Sequence, residues 1–374
     1  MQESKLERLW YTLLIDQVNG NLQSLFYTTY SVIRMLTLLL SGKQLLWQSF
    51  KNIATLCLKL VIVGFLVKLL IAWSDLNYIS ALIQQALATF NHDILFNPWF
   101  YGVVPTVLLI EIWLPARQQP LLSVGFWQDC LWLLYDLMVN IFLLGPYLSV
   151  LDTFAQVTGF PIFDLAAILS PPILILCSIL LSDFLIWFSH ILRHHIPAFW
   201  YFHAVHHSQT ELNLFCGLRF HVIDTLITYT IVTVPMRAIG ISLPSIILFR
   251  VIQQWYLRIY HSNLKLNYGW LKHVIITPQS HRIHHSIEPH HRDRNFGSVL
   301  FLWDYLFGTQ YCQYDEYPAT GIDDPNFPLE ISSQPHHLFI TLVYQNLYPF
   351  QQLWNSSINP AWLKKTFIFL QSQK

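Results

Sequence analysis

The chain has 374 residues, of which 54% are hydrophobic and only 11% charged, with 21 basic and 21 acidic side chains and a formal net charge of zero. A soluble globular chain carries roughly 25% charged residues, so this one lacks the charge to cover a water-facing surface. Its mean hydropathy of +0.41 marks an integral membrane protein with a polar, histidine-rich portion. Zero net charge offers an acidic polymer no partner, and the lack of a basic tract interleaved with aromatics excludes nucleic acid.

In chain order, residues 1–23 are polar enough to lie outside a bilayer. Their first ten carry charges of both signs and no signal-peptide pattern, so the first membrane helix is expected to act as the insertion signal. Residues 25–40 are apolar around Arg34 and suit an interfacial or tilted helix. Residues 53–73 approach the ~20 residues needed to span a bilayer core, with Lys59 and Lys68 placed to snorkel. Residues 101–114 are apolar but short, ending at Pro115, and 115–126 (PARQQPLLSVGF) read as a loop. Residues 127–151 form a second clear span, with Asp129 at its start and Asp136 inside. Residues 165–188 form a third, carrying Asp183 and running straight into His190. Residues 222–257 suit two crossings or a bent hairpin, broken around Pro235, Gly240 and Pro244. Residues 263–335 are polar and turn-rich, and 336–350 predict an amphipathic or partly buried helix. The five cysteines (Cys57, Cys130, Cys177, Cys216, Cys312) show no CxxC and no secreted framework, and read as free thiols.

The histidines are not scattered. The chain has 17, and 14 fall between His190 and His291. Nine follow a spacing code: His190 and His194; His203, His206 and His207; His261; His281, His284 and His285. The pattern is HxxxH, HxxHH, H, HxxHH. On a helix, residues i and i+4 share a face and i and i+3 nearly do, so each cluster aims two or three imidazoles at one point. Nine are too many for one metal ion and about right for two. Imidazole suits Zn, Fe, Cu and Ni, and no cysteine accompanies the clusters as it usually does in structural zinc sites. Four or five imidazoles per ion leave open positions for dioxygen. Basic residues around the clusters (Arg193, Arg219, Arg258, Lys265, Lys272, Arg282, Arg292, Arg294) favour a cytoplasmic placement. The expected architecture is an all-α membrane protein: a transmembrane helical bundle of about four or more spans, capped by a cytoplasmic histidine-rich di-metal helical domain.

Several segments carry a family resemblance. FSHILRHHIPAFWYFHAVHHSQTELN (188–213), GLRFHVID (217–224), YHSN (260–263), TPQSHRIHHS (277–286) and NFGSVLFLWDYLFGT (295–309) resemble, in order and spacing, the fatty acid hydroxylase and sterol desaturase superfamily of membrane di-iron enzymes. The resemblance covers roughly residues 100–312. It implies an N-terminal membrane or interfacial region (1–100), a catalytic domain (101–312) and a C-terminal region with an apolar helix (313–374). It further implies metal ligation by the nine boxed histidines and a cofactor of two iron ions, with zinc also accepted by such sites. His221, Asp183, Asp224 and Asn295 are expected as auxiliary ligands or as groups hydrogen-bonded behind the ligands. Three features depart from the family pattern: Asp224 and Val222 where many members have Glu and Pro, Lys265 four positions beyond His261, and HHRDR at 290–294.

The remaining histidines have plainer expected roles. His92, His336 and His337 read as surface or core residues, His195 and His273 as solvent-facing or supporting, and His290 and His291 as surface. Trp303 is expected to pack; Arg219 and Arg282 suit either ion pairs or solvent.

The resemblance implies O2-dependent hydroxylation or desaturation of a C–H bond in a fatty acyl, sterol or similar lipid. The chain shows no flavin, haem, nicotinamide or CxxCH motif, so reduction is expected from a separate electron-donor protein or a reduced pterin. An alkylglycerol monooxygenase-like branch, cleaving ether lipids, fits the same motifs. A metal-binding membrane transporter or sensor is the reading of another class. Its ligands should lie near the membrane midplane and include acids, whereas here they sit at helix ends.

Overall fold

The computed structural model describes residues 98–157, 159 and 161–358, together with residue 84. The candidate segments at 25–40 and 53–73, with Cys57 and His92, lie outside the described residues. Within them the chain is mostly helical and contains no strand. Extended pairing is limited to isolated bridges at Pro115–Leu264, Ile275–Leu300 and Ser286–Thr320.

Helix α1 (Pro98–Trp113) is the short apolar segment before Pro115. Helix α2 (Val124–Val139) begins a few residues earlier than the sequence suggests, because the Ser123 hydroxyl caps the Phe126 N–H. It continues through a π turn (Asn140–Leu144) into α3 (Gly145–Val157). Pro146 explains the π turn. It has no N–H for the helical ladder, and the register widens so that the Gly145 N–H reaches the Asn140 carbonyl. Helix α4 (Pro171–His195) starts with two prolines in its first turn, where their missing donors cost nothing. Its 25 residues extend roughly 38 Å at 1.5 Å per residue.

A single residue, Ile196, separates α4 from α5 (Pro197–His207), and Pro197 again opens the new helix. Helices α6 (Val222–Ala238) and α7 (Leu243–His261) form the expected hairpin. The break falls at 239–242, with Gly240 at φ +88°, while Pro235 is tolerated inside α6. Helix α8 (Pro278–His284) is fixed by a reciprocal capping box between Thr277 and Ser280. The short α9 (Leu302–Phe307) ends at Gly308, which has positive φ. Helix α10 (Pro335–Ile358) packs on α2 and α5, with Trp132 Nε1 donating to Gln345 Oε1 at 2.9 Å.

Two helical stretches, Val124–Thr153 and Pro171–His195, are long and apolar enough to cross a membrane. Much of α4 carries exposed apolar side chains, among them Ile173, Ile175 and Leu176. The polar interior is concentrated at its C-terminal end, where Asp183, His190 and Arg193 are buried.

Candidate metal centre

All nine boxed histidines converge. Their nitrogens fall into two groups, His190, His194, His203, His207 and His284 in one and His206, His261, His281 and His285 in the other, with the candidate ligand atoms of each group within 4.8 Å of one another. Within each helix the spacing decides which histidines enter the same group. In α5 the i, i+4 pair His203 and His207 enters the first group and His206 enters the second. In α8 the pattern is reversed: His281 and His285 enter the second group and His284 the first. The last two turns of α4 add His190 and His194 to the five-histidine group, and the last residue of α7 adds His261 to the other. Lys265 lies beyond the end of α7, so the second group has four members.

The nitrogen separations suit shared ions better than hydrogen bonds. Contacts between Nε2 atoms are 3.1 Å for His194–His207, 3.2 Å for His207–His203, 3.2 Å for His261–His206, 2.8 Å for His281–His261 and 3.0 Å for His285–His281. Two nitrogens at ~2.0–2.1 Å from one ion lie about 2.9–3.4 Å apart, depending on coordination geometry. A run of imidazoles meeting Nε2 to Nε2 cannot satisfy itself with protons, because each neutral ring whose Nδ1 carries its hydrogen has only a lone pair at Nε2.

The Nδ1 contacts set that tautomer. His190 donates to the Phe296 carbonyl at 2.9 Å, His261 to the Leu257 carbonyl at 2.7 Å and His284 to the Arg294 carbonyl at 2.8 Å. His203 Nδ1 meets Asp224 Oδ2 at 2.9 Å, and His194 Nδ1 lies 3.4 Å from Asp293 Oδ1. The freed Nε2 atoms of His190 and His284 are buried without any partner, as are Nδ1 of His206, His281 and His285. Orphaned buried nitrogens are costly, and a metal ion resolves the cost for those aimed into the cluster. The donor set therefore fits two metal ions.

Electrostatics agree. His203, His206, His207, His281, His284 and His285 are all held well below the ordinary imidazole value. Burial is the main cause, followed by neighbouring imidazoles and, for His203, by Arg193. These rings are neutral at pH 7, the form that binds metal.

The supporting residues divide by role. Asp224 receives His203 and also Arg193 Nη1 at 3.2 Å. Asp183 contacts no imidazole. It accepts the Val299 and Leu300 N–H groups at 3.0 and 3.1 Å and Trp303 Nε1 at 2.9 Å. Asn295 bridges the Ser280 carbonyl and the Tyr311 N–H. His221 caps α6, with Nδ1 accepting from Ile223 and Nε2 donating to the Asn346 carbonyl. Both its nitrogens are thus engaged outside the cluster, and burial lowers it to about 4.

Three residues to which the sequence assigned no supporting role prove to have one. Arg193 and Asp293 carry no motif of their own. Asp304 accepts the Phe296 and Gly297 N–H groups at 2.9 and 2.7 Å and Trp187 Nε1 at 3.1 Å. It thereby fixes the strip whose Phe296 carbonyl holds His190. His291, expected at the surface, is 2% exposed and bonded to Glu316 and Ser286 at 2.9 Å each, whereas His290 does lie at the surface. Arg219, for which solvent and ion pair were equal expectations, is fully buried between Asp129 and Glu330 at 2.7 and 2.8 Å.

A cavity of about 380 Å³ reaches His190, His203, His206, His261 and His281 from among α1, α2, α4, α6 and α7. A second pocket of about 310 Å³ touches His194, His207 and His284, beside Trp200, Arg292 and Asp293. The cluster is thus approached from two openings by two different sets of imidazoles.

Residues 175–309 match the family model described as fatty acid hydroxylase. The chain is 31% identical over 135 residues to an ornithine lipid hydroxylase of Rhizobium tropici, a match covering 36% of this chain and 41% of that protein. It is 30% identical over 159 residues to the alkylglycerol monooxygenase of Homo sapiens (42% and 35%), and 29% identical over 168 residues to that of Caenorhabditis elegans (44% and 32%). The matched segments span less than half the length of these curated relatives. No solved structure matches the chain. The resemblance to the superfamily, and to its alkylglycerol monooxygenase-like branch, is shown by these matches over the histidine-bearing segment.

Proposed function

We propose that the protein is a membrane-bound, di-iron, O2-dependent lipid oxidase that hydroxylates or desaturates a C–H bond of a fatty acyl, sterol or similar lipid. The observation that carries this reading is the division of nine imidazoles into groups of five and four, with the cavity from the apolar helices ending on members of both. All-nitrogen ligands with open positions suit O2 chemistry better than structural zinc. A bound iron pair would supply the activation of O2: with two electrons and two protons from outside, hydroxylation would place one oxygen atom in the C–H bond and release the other as water, whereas desaturation would release both as water. The chain's own residues do the rest. The apolar helices bring in the lipid chain, the buried histidines exclude water from the reacting carbon, and Asp224, Phe296, Leu257 and Arg294 hold the imidazoles in orientation.

The reading includes a bundle of about four or more spans with the histidine region on the cytoplasmic side, supported by the two apolar helices and the basic residues around the clusters. It also includes a separate electron donor, either a protein or a reduced pterin, and the domain limits 1–100, 101–312 and 313–374. Ether-lipid cleavage is the second form of the same chemistry, favoured by the similarity to alkylglycerol monooxygenases.

Metal analysis and Mössbauer spectroscopy of anaerobically purified protein, combined with turnover on lipid extracts, test the proposal. Two irons per chain and an O2-dependent lipid product are expected. One ion or none, with His203→Ala leaving activity untouched, overturns it.

A further inference from the structure

The cavity that reaches the histidines carries an unmatched positive charge. Four charged side chains besides the histidines line it: Asp136, Arg193, Arg250 and Arg258. Arg193 is paired with Asp224 at 3.2 Å. Asp136 has Arg258 as its cationic neighbour and accepts Asn140 Nδ2 at 2.9 Å. Arg250 is left over. It is 7% exposed, and among the described residues no carboxylate pairs with it. Its Nη1 donates to Gln253 Oε1 at 2.8 Å, its guanidinium lies over the Tyr229 ring at 4.9 Å, and its buried Nε has no partner.

The other two fully buried arginines outside the cavity are not left in this state. Arg219 has two carboxylates, and Arg282 is held by Asn263 Oδ1 at 2.7 Å and the Pro318 carbonyl. A buried guanidinium without a counter-charge is expensive. An ionisable residue turned inward on an otherwise apolar helix marks a ligand path. Its neighbours on α7, Leu248, Val251 and Ile252, are exposed and apolar, so Arg250 occupies the inward face. The edge formed by Nε and Nη2 is the one that matches an oxyanion with two parallel hydrogen bonds.

We propose that Arg250 is the anchor for the oxyanion head, carboxylate or phosphate, of the lipid that enters this cavity. The inference rests on the lipid-oxidation reading and names what that lipid carries. The anchor is tied to the metal centre. Gln253, which holds Arg250, donates to Ser298 Oγ at 2.8 Å, and Ser298 follows the Phe296–Gly297 strip whose carbonyl orients His190. A head group fixed at Arg250 therefore sets the distance to the reacting carbon. Oxidation falls at a constant count of carbons from the head, not from the methyl end.

Binding to the metal-loaded full chain in nanodiscs tests the anchor without turnover. The probes are dodecanoate, dodecyl phosphate and dodecanol. Wild type is expected to bind at least one anion tenfold or more tighter than dodecanol, and the tighter anion identifies the head. Arg250→Gln is expected to erase that preference while leaving dodecanol affinity within twofold, and Arg250→Lys to retain part of it. An unchanged anion-to-neutral ratio in Arg250→Gln overturns the anchor, as does a wild type without preference, which decides the matter even where the variant folds poorly. Preference lost in Arg250→Gln with no lipid oxidised by the wild type sinks the lipid-oxidation reading and leaves the anion site standing. Where turnover is found, acids of different chain length should be oxidised at the same carbon number from the head, and attack at a fixed distance from the methyl end counts against the anchor.

Discussion

His203 Nδ1 and Asp224 Oδ2 lie 2.9 Å apart, both side chains essentially inaccessible to water. The same carboxylate neutralises Arg193, whose Nη1 is also 3.2 Å from His203 Nδ1. One acid thus orients an imidazole and keeps a neighbouring cation from repelling a bound metal. Asp224→Asn is expected to weaken metal retention about 10–100-fold and to lower the melting temperature, because Arg193 is left buried and unpaired. Asp323→Asn, at the exposed pair with Arg292, is the control, expected to cost less than about 1 kcal/mol. Metal content under a chelator series, together with thermal melts, checks both.

Adjacent histidines fall into different groups. His284→Ala and His285→Ala should each reduce bound metal from two ions to one per chain, and the double variant should bind almost none. The group of four has less redundancy, so His285→Ala is expected to lose its ion at lower chelator concentration than His284→Ala. Equal loss of both ions in either single variant would contradict the assignment of neighbours to separate groups.

The metal-free protein should lose stability in mild acid. Six histidines outside the candidate spans have native values depressed by burial, while the unfolded chain protonates near 6.5. Below that value the unfolded state binds more protons than the native state, so stability is full above about pH 6.5 and falls as pH drops towards the depressed native values. Each such histidine contributes up to about 1.4 kcal/mol per pH unit in that window. His221, lowered to about 4, contributes between about 6.5 and 4. Denaturant melts at pH 7.5, 6.5 and 5.5 should show the decline beginning between the last two, and a flat profile would refute it.

Gly217 is expected to tolerate no side chain. An added Cβ would collide with the Leu257 side chain and lie 3.1 Å from His261 Nδ1. Gly217→Ala should push His261 from its place and selectively weaken the four-histidine group, read as loss of one ion with the other retained. Gly102→Ala, which meets nothing within 4 Å, should leave metal content unchanged.

The sequence made the cluster legible because helical periodicity turns spacing into direction: i, i+4 pairs had to share a target. It also exposed α2, α4 and the α6–α7 hairpin as apolar runs bounded by proline and glycine. The partition between the two groups was not visible, because it depends on how α5 and α8 face each other across the fold. Nor were the partners of Asp183 and Asp304 visible. Asp183 holds the 295–309 strip against α4 through the Val299 and Leu300 N–H groups, while Asp304 closes the strip on its own Phe296 and Gly297 N–H groups and reaches α4 through Trp187 Nε1; a backbone donor leaves no trace in residue identity. Arg193 stayed hidden for another reason: its acid lies 31 positions away on another helix.

The exchanged roles of the two HxxHH doublets have a consequence for assembly. Neither group of histidines owns a helix, since α5 and α8 each lend side chains to both. On the two-ion reading, the first ion to arrive would hold side chains of both helices and so help to build the seat of the second. On that reading metal uptake would then be linked: filling one site raises the affinity of the other, without abolishing the half-filled form expected of the single variants. A shortage of metal would then favour completed molecules over half-filled ones.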